Sequence, residues 1–589
     1  MNFPVWYLPT IGGGFLIALI AVTHVFVSHF AVGGGLYLVY SEKKGLREQD
    51  PGILAFTKRH AKFFLLLTMV YGSITGVGIW FIVALVNPGG ISLVIHNFVF
   101  GWATEWVFFI LEISAAFIYF YTFGKMDDRT HVAIGWVYFI SAWISLFLIT
   151  GIIDFMLTPG TWLAHHNFWR GFFNPSFVPS VFFRTFIATM LAGAYGYLTA
   201  SFTKEPAVKE IMTRFSGKWT LVSLILAIPS GLWYVAVLPT HAHNLVTGQS
   251  PTIASALRWG FWGAVGIMII TLIAGIAKPS WNLKPVAVLA FICGFLIVGS
   301  FEWTREAARR PFVVNEFMYS NEILKSDVPM LQEEGFLKTA RWIRNRTITP
   351  ENRSAAGREL FINQCYACHT IGGFNNDIIA RTRSMSYTAL AKYIGKIHKV
   401  RYFMPPFAGT PKEAQALAAF IAGDLNGKDV SEPKPSNAGN NSGKMLFEEN
   451  CSSCHELADL AEKTAGWEQQ KIRTALDKLN QLVKEMPPYD GTFAEKDQLV
   501  AFLYSLNHKE AVQPVVPSVD GKRVFEDHCS PCHASSDLAE KTAAWDRAKI
   551  RDALDKLNQL VEEMPPMEGT KAEKEDLADY LNSLKGGQK

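Results

Sequence analysis

Eight apolar stretches long enough to cross a bilayer fall within the first 302 of 589 residues, at roughly 14–40, 62–86, 98–123, 132–157, 178–201, 218–239, 259–277 and 284–302. Eight membrane helices are therefore expected. A chain this long does not close around one core. Its overall figures, 50% hydrophobic and 18% charged, average two unlike halves, because the last 240 or so positions are polar and charged. A net charge of +4, carried by scattered basic residues, excludes nucleic-acid binding as the main activity. The opening Met1-Asn2-Phe3-Pro4 has no basic n-region, and the first apolar segment is too long for a cleaved signal, so that helix is expected to stay in the membrane.

Basic residues set the orientation. Lys43, Lys44, Arg47, Lys58, Arg59 and Lys62 crowd the first connection, whereas Asn87 to Asn97 carries no Lys or Arg. Lys125 and Arg129, then Lys204, Lys209, Arg214 and Lys218, then Lys278 and Lys284, fall on the same side as the first connection. The positive-inside rule puts that side in the cytoplasm and the N-terminus outside, so the chain emerges outside after Phe301.

An unpaired charge inside these helices costs about 3 kcal/mol or more, which asks each for a partner or a task. His24 sits within the first helix, in a chain that carries three Cys-x-x-Cys-His haem-attachment units further along, so a haem iron is a better partner for it than a neighbouring carbonyl. Glu105 and Glu112, seven apart, share a face of the third helix. Glu302 and Glu306 share a face at the outer end of the eighth, followed by Arg309-Arg310-Pro311, which could meet a carboxylate or a haem propionate. His60, His96, His165, His166, His241 and His243 are expected to be solvated, His29 to face away from His24, and Cys293 to be a small apolar residue.

The polar half is a tandem array. Gly443-Lys444 through Ser505-Leu506 recurs as Gly521-Lys522 through Ser583-Leu584, and Gly357-Arg358-Glu359-Leu360-Phe361 opens a more divergent copy. Six of the seven cysteines stand in three Cys-x-x-Cys-His units, the attachment pattern for covalent haem: Cys365, Cys368 and His369; Cys451, Cys454 and His455; Cys529, Cys532 and His533. One helical turn separates the paired thiols, which can bond the two vinyl groups, and the histidine supplies the proximal nitrogen. Met404, Met486 and Met564, each followed by two prolines, are the expected distal ligands, in preference to Met385 and Met567. His/Met ligation fills both axial positions, so these three haems carry electrons and do not bind substrate. Leu446-Phe447 and Val524-Phe525 are expected to shield the rings, with Glu432–Gly443 and Val512–Pro517 as linkers.

Two resemblances follow. Each copy resembles a small class I cytochrome c domain. Residues 10–315 resemble subunit I of cytochrome bd quinol oxidase: Val22-Thr23-His24-Val25-Phe26-Val27 is similar to the segment holding an axial haem histidine, and Trp102 through Glu112 to the third helix. The resemblance implies that Glu105 and Glu112 serve the oxygen-reducing haem and the proton path, although their spacing departs by one residue. Glu306-Ala307-Ala308-Arg309-Arg310-Pro311-Phe312 resembles the motif whose glutamate ligates a high-spin haem, with the family's Gly, Gln and Trp replaced. Where the family carries its low-spin haem histidine, this sequence has Arg184 in Val181-Phe182-Phe183-Arg184-Thr185, and a guanidinium cannot ligate iron. Met268 is a candidate thioether partner; the family's long quinol loop is reduced to about twenty residues around His241-Ala242-His243, and its ninth helix is absent.

The expected fold is all-α: a membrane haem domain over 1–315, a linker over 316–350, and cytochrome c domains over 351–430, 431–510 and 511–589. The implied cofactors are three covalent haems c and one or more noncovalent b- or d-type haems. The expected setting is a bacterial inner membrane with the cytochrome c domains on the periplasmic side, a second membrane subunit, and a periplasmic electron donor or acceptor protein. Three functions fit: a terminal reductase fed through the c haems and reducing oxygen or a similar small oxidant, which is favoured; a quinol dehydrogenase passing electrons outward; and a noncatalytic relay.

Overall fold

The computed structural model describes residues 3–431, 442–452, 455–479, 489, 493–508, 521–529, 535–557, 567 and 571–584. Contacts divide the chain into two units. One comprises Met1–Asn437 with Met445–Leu460 and Ala475–Tyr489; the other comprises Ala438–Lys444, Ala461–Thr474 and Asp490–Lys589. Helix dominates both.

Among the described residues, eight helices are long and apolar enough to span a membrane: α1 Gly13–Glu48, α2 Pro51–Val86, α3 Val99–Thr122, α4 Asp128–Asp154, α5 Phe177–Ser201, α6 Pro206–Ala236, α7 Pro251–Ala277 and α8 Lys284–Ala308. Their number and order match expectation, but several begin earlier than hydropathy suggests. α2 starts at Pro51 because Asp50 caps it, its carboxylate accepting from the Gly52 and Ile53 amides at 2.8 and 3.2 Å. α1 ends just before, with Gln49 in the left-handed region at φ 52°, so two residues make the turn. At 1.5 Å per residue the 36 residues of α1 extend about 54 Å, beyond a hydrocarbon core of about 30 Å. Its charged last turns are not needed to cross that thickness.

α5 is the innermost helix, and small residues put it there. A Cβ on Gly33 of α1 would collide with the Ala188 carbonyl of α5, so only glycine allows that crossing. The aromatic core behind it stacks Phe30 on Tyr195 at 3.8 Å. π-helical turns widen α2 over Leu66–Gly72 and α7 over Thr271–Ala277. Beyond α8 the chain makes a short antiparallel hairpin, Phe312–Val314 against Met318–Tyr319.

In the first unit the tail begins with helices Arg353–Gln364, Ile378–Thr382, Tyr387–Val400 and Pro411–Ala419. Thr410 and Glu413 close a capping box at the start of the last. Glu413 also accepts from the Phe336 and Leu337 amides at 3.0 and 2.7 Å, which fastens the preceding segment to this bundle. The glycines that open the three repeats share one task. A Cβ on Gly357, Gly443 or Gly521 would strike the backbone carbonyl of Ala416, Gln498 or Asp576, where the first helix crosses the last. In the second unit Val524, Phe525, Ile550, Leu554, Met567, Leu577 and Leu581 form a core.

Candidate functional site

His24 is set by α2. Its Nδ1 lies 3.0 Å from Thr75 Oγ1, whose single hydroxyl hydrogen is committed to the Tyr71 carbonyl at 2.8 Å or that of Gly72 at 3.1 Å. Nδ1 must therefore donate, which leaves Nε2 with a free lone pair, the tautomer a metal ligand needs. Gly76, next to Thr75, gives the ring room: a Cβ there would lie 3.1 Å from Cε1.

Two further membrane histidines have the same tautomer, and the sequence reading gave neither a site role. His60 is 0% exposed, not solvated. Its Nδ1 lies 2.8 Å from Thr199 Oγ1, whose hydrogen goes to the Tyr195 or Gly196 carbonyl, and its Nε2 is buried without a partner. His29 is buried, with Nδ1 donating to the Val25 carbonyl at 2.9 Å, and lines a cavity with Glu302, Phe183 and Phe301. For His29 the apolar residues around it, Val25-Phe26-Val27 and Phe30-Ala31-Val32, were the available signal; His60, between Arg59 and Lys62, carried none. Cys293 is buried in the core, as expected.

Glu105 and Glu112 do lie along one face of α3. Glu112 is buried, with Tyr138 Oη 3.1 Å from its Oε1. Glu105 faces Ser145, whose hydroxyl is buried and without a hydrogen bond of ordinary geometry. Glu306 pairs with Arg309 at 2.5 Å, so the arginine cluster meets a carboxylate of its own helix. His24, Glu105 and Glu306 make no hydrogen bond or ion pair with one another.

Arg184 stands in a buried ionic cluster. Its Nη1 is 3.0 Å from Glu302 Oε1, with the two side chains 2% and 5% exposed, and its guanidinium lies over Phe301 at 5.0 Å. Arg305 holds the other Glu302 oxygen at 3.0 Å. Asp154, Tyr234 and the outer nitrogens of both arginines contribute buried polar atoms without partners in the same cluster. Arg184, which cannot ligate iron, is held here by its ion pair with Glu302.

The first tail domain presents its attachment residues on one turn: the Cys365 amide bonds to Phe361 O, and the Cys368 and His369 amides both reach Cys365 O, at 3.1 and 3.0 Å. The Asn376 carbonyl takes the His369 Nδ1 proton at 3.0 Å and leaves Nε2 free. Burial lowers the pKa of this imidazole to about 4, which keeps it neutral, and raises that of the Cys365 thiol to about 12. Met404 is half-buried, its carbonyl accepting from His398 Nδ1 at 2.6 Å. Met385 is buried in the domain core. The donor set fits a covalent haem. In the other repeats Cys451 and Cys529 close their helices onto Phe447 and Phe525, and the His455 amide returns to Cys451 O at 3.0 Å. Leu446, Phe447, Val524 and Phe525 are buried, as a haem shell requires. Cys454, Met486, Cys532, His533 and Met564 lie outside the described residues, as do most of the two linkers; Met567 packs in the core of the third repeat.

This first domain is seated on the end of the membrane helices at which α1 begins. Tyr366, inside the attachment motif, donates to Trp6 O at 3.0 Å and accepts from the Leu8 amide at 2.8 Å. Ile371 N reaches Pro9 O at 2.7 Å, Phe374 packs edge-on against Phe15 of α1, and Tyr402 does the same against His241.

Residues 15–256 match the family model for cytochrome bd terminal oxidase subunit I. Residues 352–421, 438–503 and 518–581 each match the model for subunit III of cbb3-type cytochrome c oxidase. The bd oxidase from Geobacillus thermodenitrificans is a similar solved structure, 14% identical, covering 51% of this chain and 88% of its own, with a TM-score of 0.45. No curated protein matches the chain. The chain joins a cytochrome bd subunit I-like membrane domain to three tandem cytochrome c domains, and it is a membrane-bound haem electron-transfer protein.

Proposed function

We propose that this protein is a terminal reductase of a respiratory chain, in which electrons enter from a periplasmic donor through three covalent haems c and reduce oxygen, or a similar small oxidant, at a membrane haem held by His24 and Glu306. The observation that carries this reading is the seating of the first cytochrome c domain. Its attachment motif touches the segment leading into α1, the helix that bears His24. An electron on that domain thus has a protein path along α1 to the half-buried His24.

A bound porphyrin supplies the iron that binds and reduces the oxidant. The chain's own residues do the rest. Thr75 fixes the His24 tautomer, Arg309 holds Glu306 in place, and Glu105 and Glu112 bring protons. Cys454, Met486, Cys532, His533 and Met564 complete the second and third haem sites, giving domains over 351–430, 431–510 and 511–589 after a 316–350 linker. The distribution of basic residues over the loops supports a topology with the cytochrome c domains outside a bacterial inner membrane. A second membrane subunit would cover apolar faces of the bundle.

Quinol oxidation with outward electron flow has less support. Its candidate residue, His241, donates from Nε2 to the Arg310 carbonyl at 2.5 Å and packs against Tyr402, so the ring is engaged within the protein. The test feeds purified protein with ascorbate and a mediator and follows oxygen uptake together with carbon monoxide binding. Steady uptake, with a carbon-monoxide-binding haem that disappears in His24→Ala, supports the reductase. Reduction of the c haems by quinol without oxygen uptake overturns it.

A further inference from the structure

Reduction of one dioxygen to two waters takes four protons as well as four electrons, and the structure contains a set of groups suited to delivering them. On antiparallel α3 and α4, polar residues recur every seven positions: Glu105, Glu112 and Tyr119 face Ser145, Tyr138 and His131. A seven-residue step advances about 10.5 Å with about 20° of drift, so the three rungs stay on one seam and span about 21 Å. Glu42, on the last turns of α1, completes the lowest rung.

That lowest rung is closed and buried. His131 Nδ1 is 2.6 Å from Glu42 Oε1, with the two side chains 3% and 4% exposed, and Tyr119 Oη donates to Glu42 Oε2 at 2.8 Å. His131 Nε2 lies 2.7 Å from the Tyr119 carbonyl, which can only accept, so this nitrogen carries a hydrogen. One more proton must then be shared between Nδ1 and Oε1, whichever of the two holds it. Nearby, Lys58 of α2 lies over the Phe123 ring, which packs edge-on against His131, and Asp128 sits exposed one turn before the histidine.

The middle rung also holds a proton. Tyr138 Oη lies 3.0 Å from the Ala31 carbonyl and 3.1 Å from Glu112 Oε1, yet has a single hydrogen. When that hydrogen goes to Ala31, Glu112 must bring its own. Between the two rungs is a cavity lined by both Tyr119 and Tyr138, with Gly35, Ala61 and Ala116.

We propose that Glu42, His131 and Tyr119 form the cytoplasmic entrance of a proton route that continues past Tyr138 to Glu112 and Glu105. A proton taken up by the Glu42–His131 pair passes to Tyr119 Oη, which releases its own hydrogen to water in the cavity. Once Glu112 has passed its own proton on toward Glu105, that water protonates Tyr138 as Tyr138 gives its hydrogen to Glu112. Each transfer makes one O–H bond and breaks another, and a fresh cytoplasmic proton resets the pair. The inference rests on the reductase reading and names the source of its protons.

The test places the full chain in vesicles with the cytochrome c domains outward and a pH dye in the lumen. Electrons come from ascorbate and ruthenium hexaammine, neither of which crosses the bilayer. Wild-type protein should make the lumen alkaline as it consumes oxygen. Glu42→Gln and Tyr138→Phe, on separate helices, should each lower oxygen uptake per membrane haem about tenfold or more. Reduction of the covalent haems should be unchanged, and uptake in Glu42→Gln should lose its dependence on lumen pH. Variants with wild-type rates, or oxygen uptake without lumen alkalinisation, overturn the route and leave the reductase reading standing. Wild-type protein that consumes no oxygen overturns that reading, and the route with it.

Discussion

Replacing Arg184 with leucine tests whether the buried ionic cluster acts as a unit. Arg184 and Glu302 meet at 3.0 Å with side-chain exposures of 2% and 5%, so neither charge can recover solvation from water if the other is removed. Breaking such a pair costs about 3–5 kcal/mol. Arg305 still holds Glu302 at 3.0 Å, which puts the expected loss near the lower end, about 3 kcal/mol. Glu302→Leu leaves two guanidinium groups with only Asp154 and Glu306 as nearby anions and should cost about as much. The double variant removes one charge of each sign and leaves Arg305 with Asp154 and Glu306, so its loss should be no larger than that of either single variant and not the sum of the two. At about 2–4 °C per kcal/mol for a domain of this size, each single variant should unfold about 6–12 °C below wild type, and the double variant no lower than either. Thermal unfolding in detergent, followed by near-ultraviolet circular dichroism, measures this. Additive losses in the double variant would refute the coupling, and an unshifted Arg184→Leu would refute the ion pair itself.

Other expectations follow from single contacts. His24→Ala should remove a noncovalent haem while sparing the three covalent ones, read by pyridine haemochrome quantitation per polypeptide. Met404→Ala should let carbon monoxide bind the haem of the first cytochrome c domain, whereas Met385→Leu, a swap of similar volume in the core, should cost less than about 1.5 kcal/mol and leave that spectrum unchanged. Glu413→Ala removes the acceptor of the Phe336, Leu337 and Thr410 amides and should destabilise the first domain by about 3 kcal/mol in denaturant titration. Burial raises the pKa of Glu322, in the segment after the hairpin, to about 7. The fold thus favours its neutral form. That contribution is full below the ordinary carboxyl value of 4.5 and is lost as pH rises through about 7. Glu322→Gln should therefore gain on wild type in unfolding temperature between pH 5 and pH 8, and a constant difference would refute the shift.

The sequence by itself determined the large divisions of this protein, because their signals are local. Bilayer thickness fixes the length of an apolar span, so eight crossings could be counted. Thiol spacing and an adjacent histidine are set by the porphyrin, so three attachment sites could be counted without a structure. The seven-residue interval between Glu105 and Glu112 was legible for the same reason, since helix pitch translates spacing into a shared face. Helix starts at Pro51 and Pro206 were missed because caps and prolines, not hydropathy, decide them.

Only the tertiary structure decided what faces what. His60 reads as a residue in a basic connection, yet α1 and α5 close over it and leave its Nε2 buried. Arg184 reads as a lost ligand, and only the approach of α8 shows that Glu302 neutralises it. Glu42 and His131 are 89 positions apart and carry no motif, but the packing of α1 against α4 brings them to 2.6 Å. Pairings between distant segments depend on helix crossing and rotation, which are set by the close-packed core and leave no periodic trace along the chain.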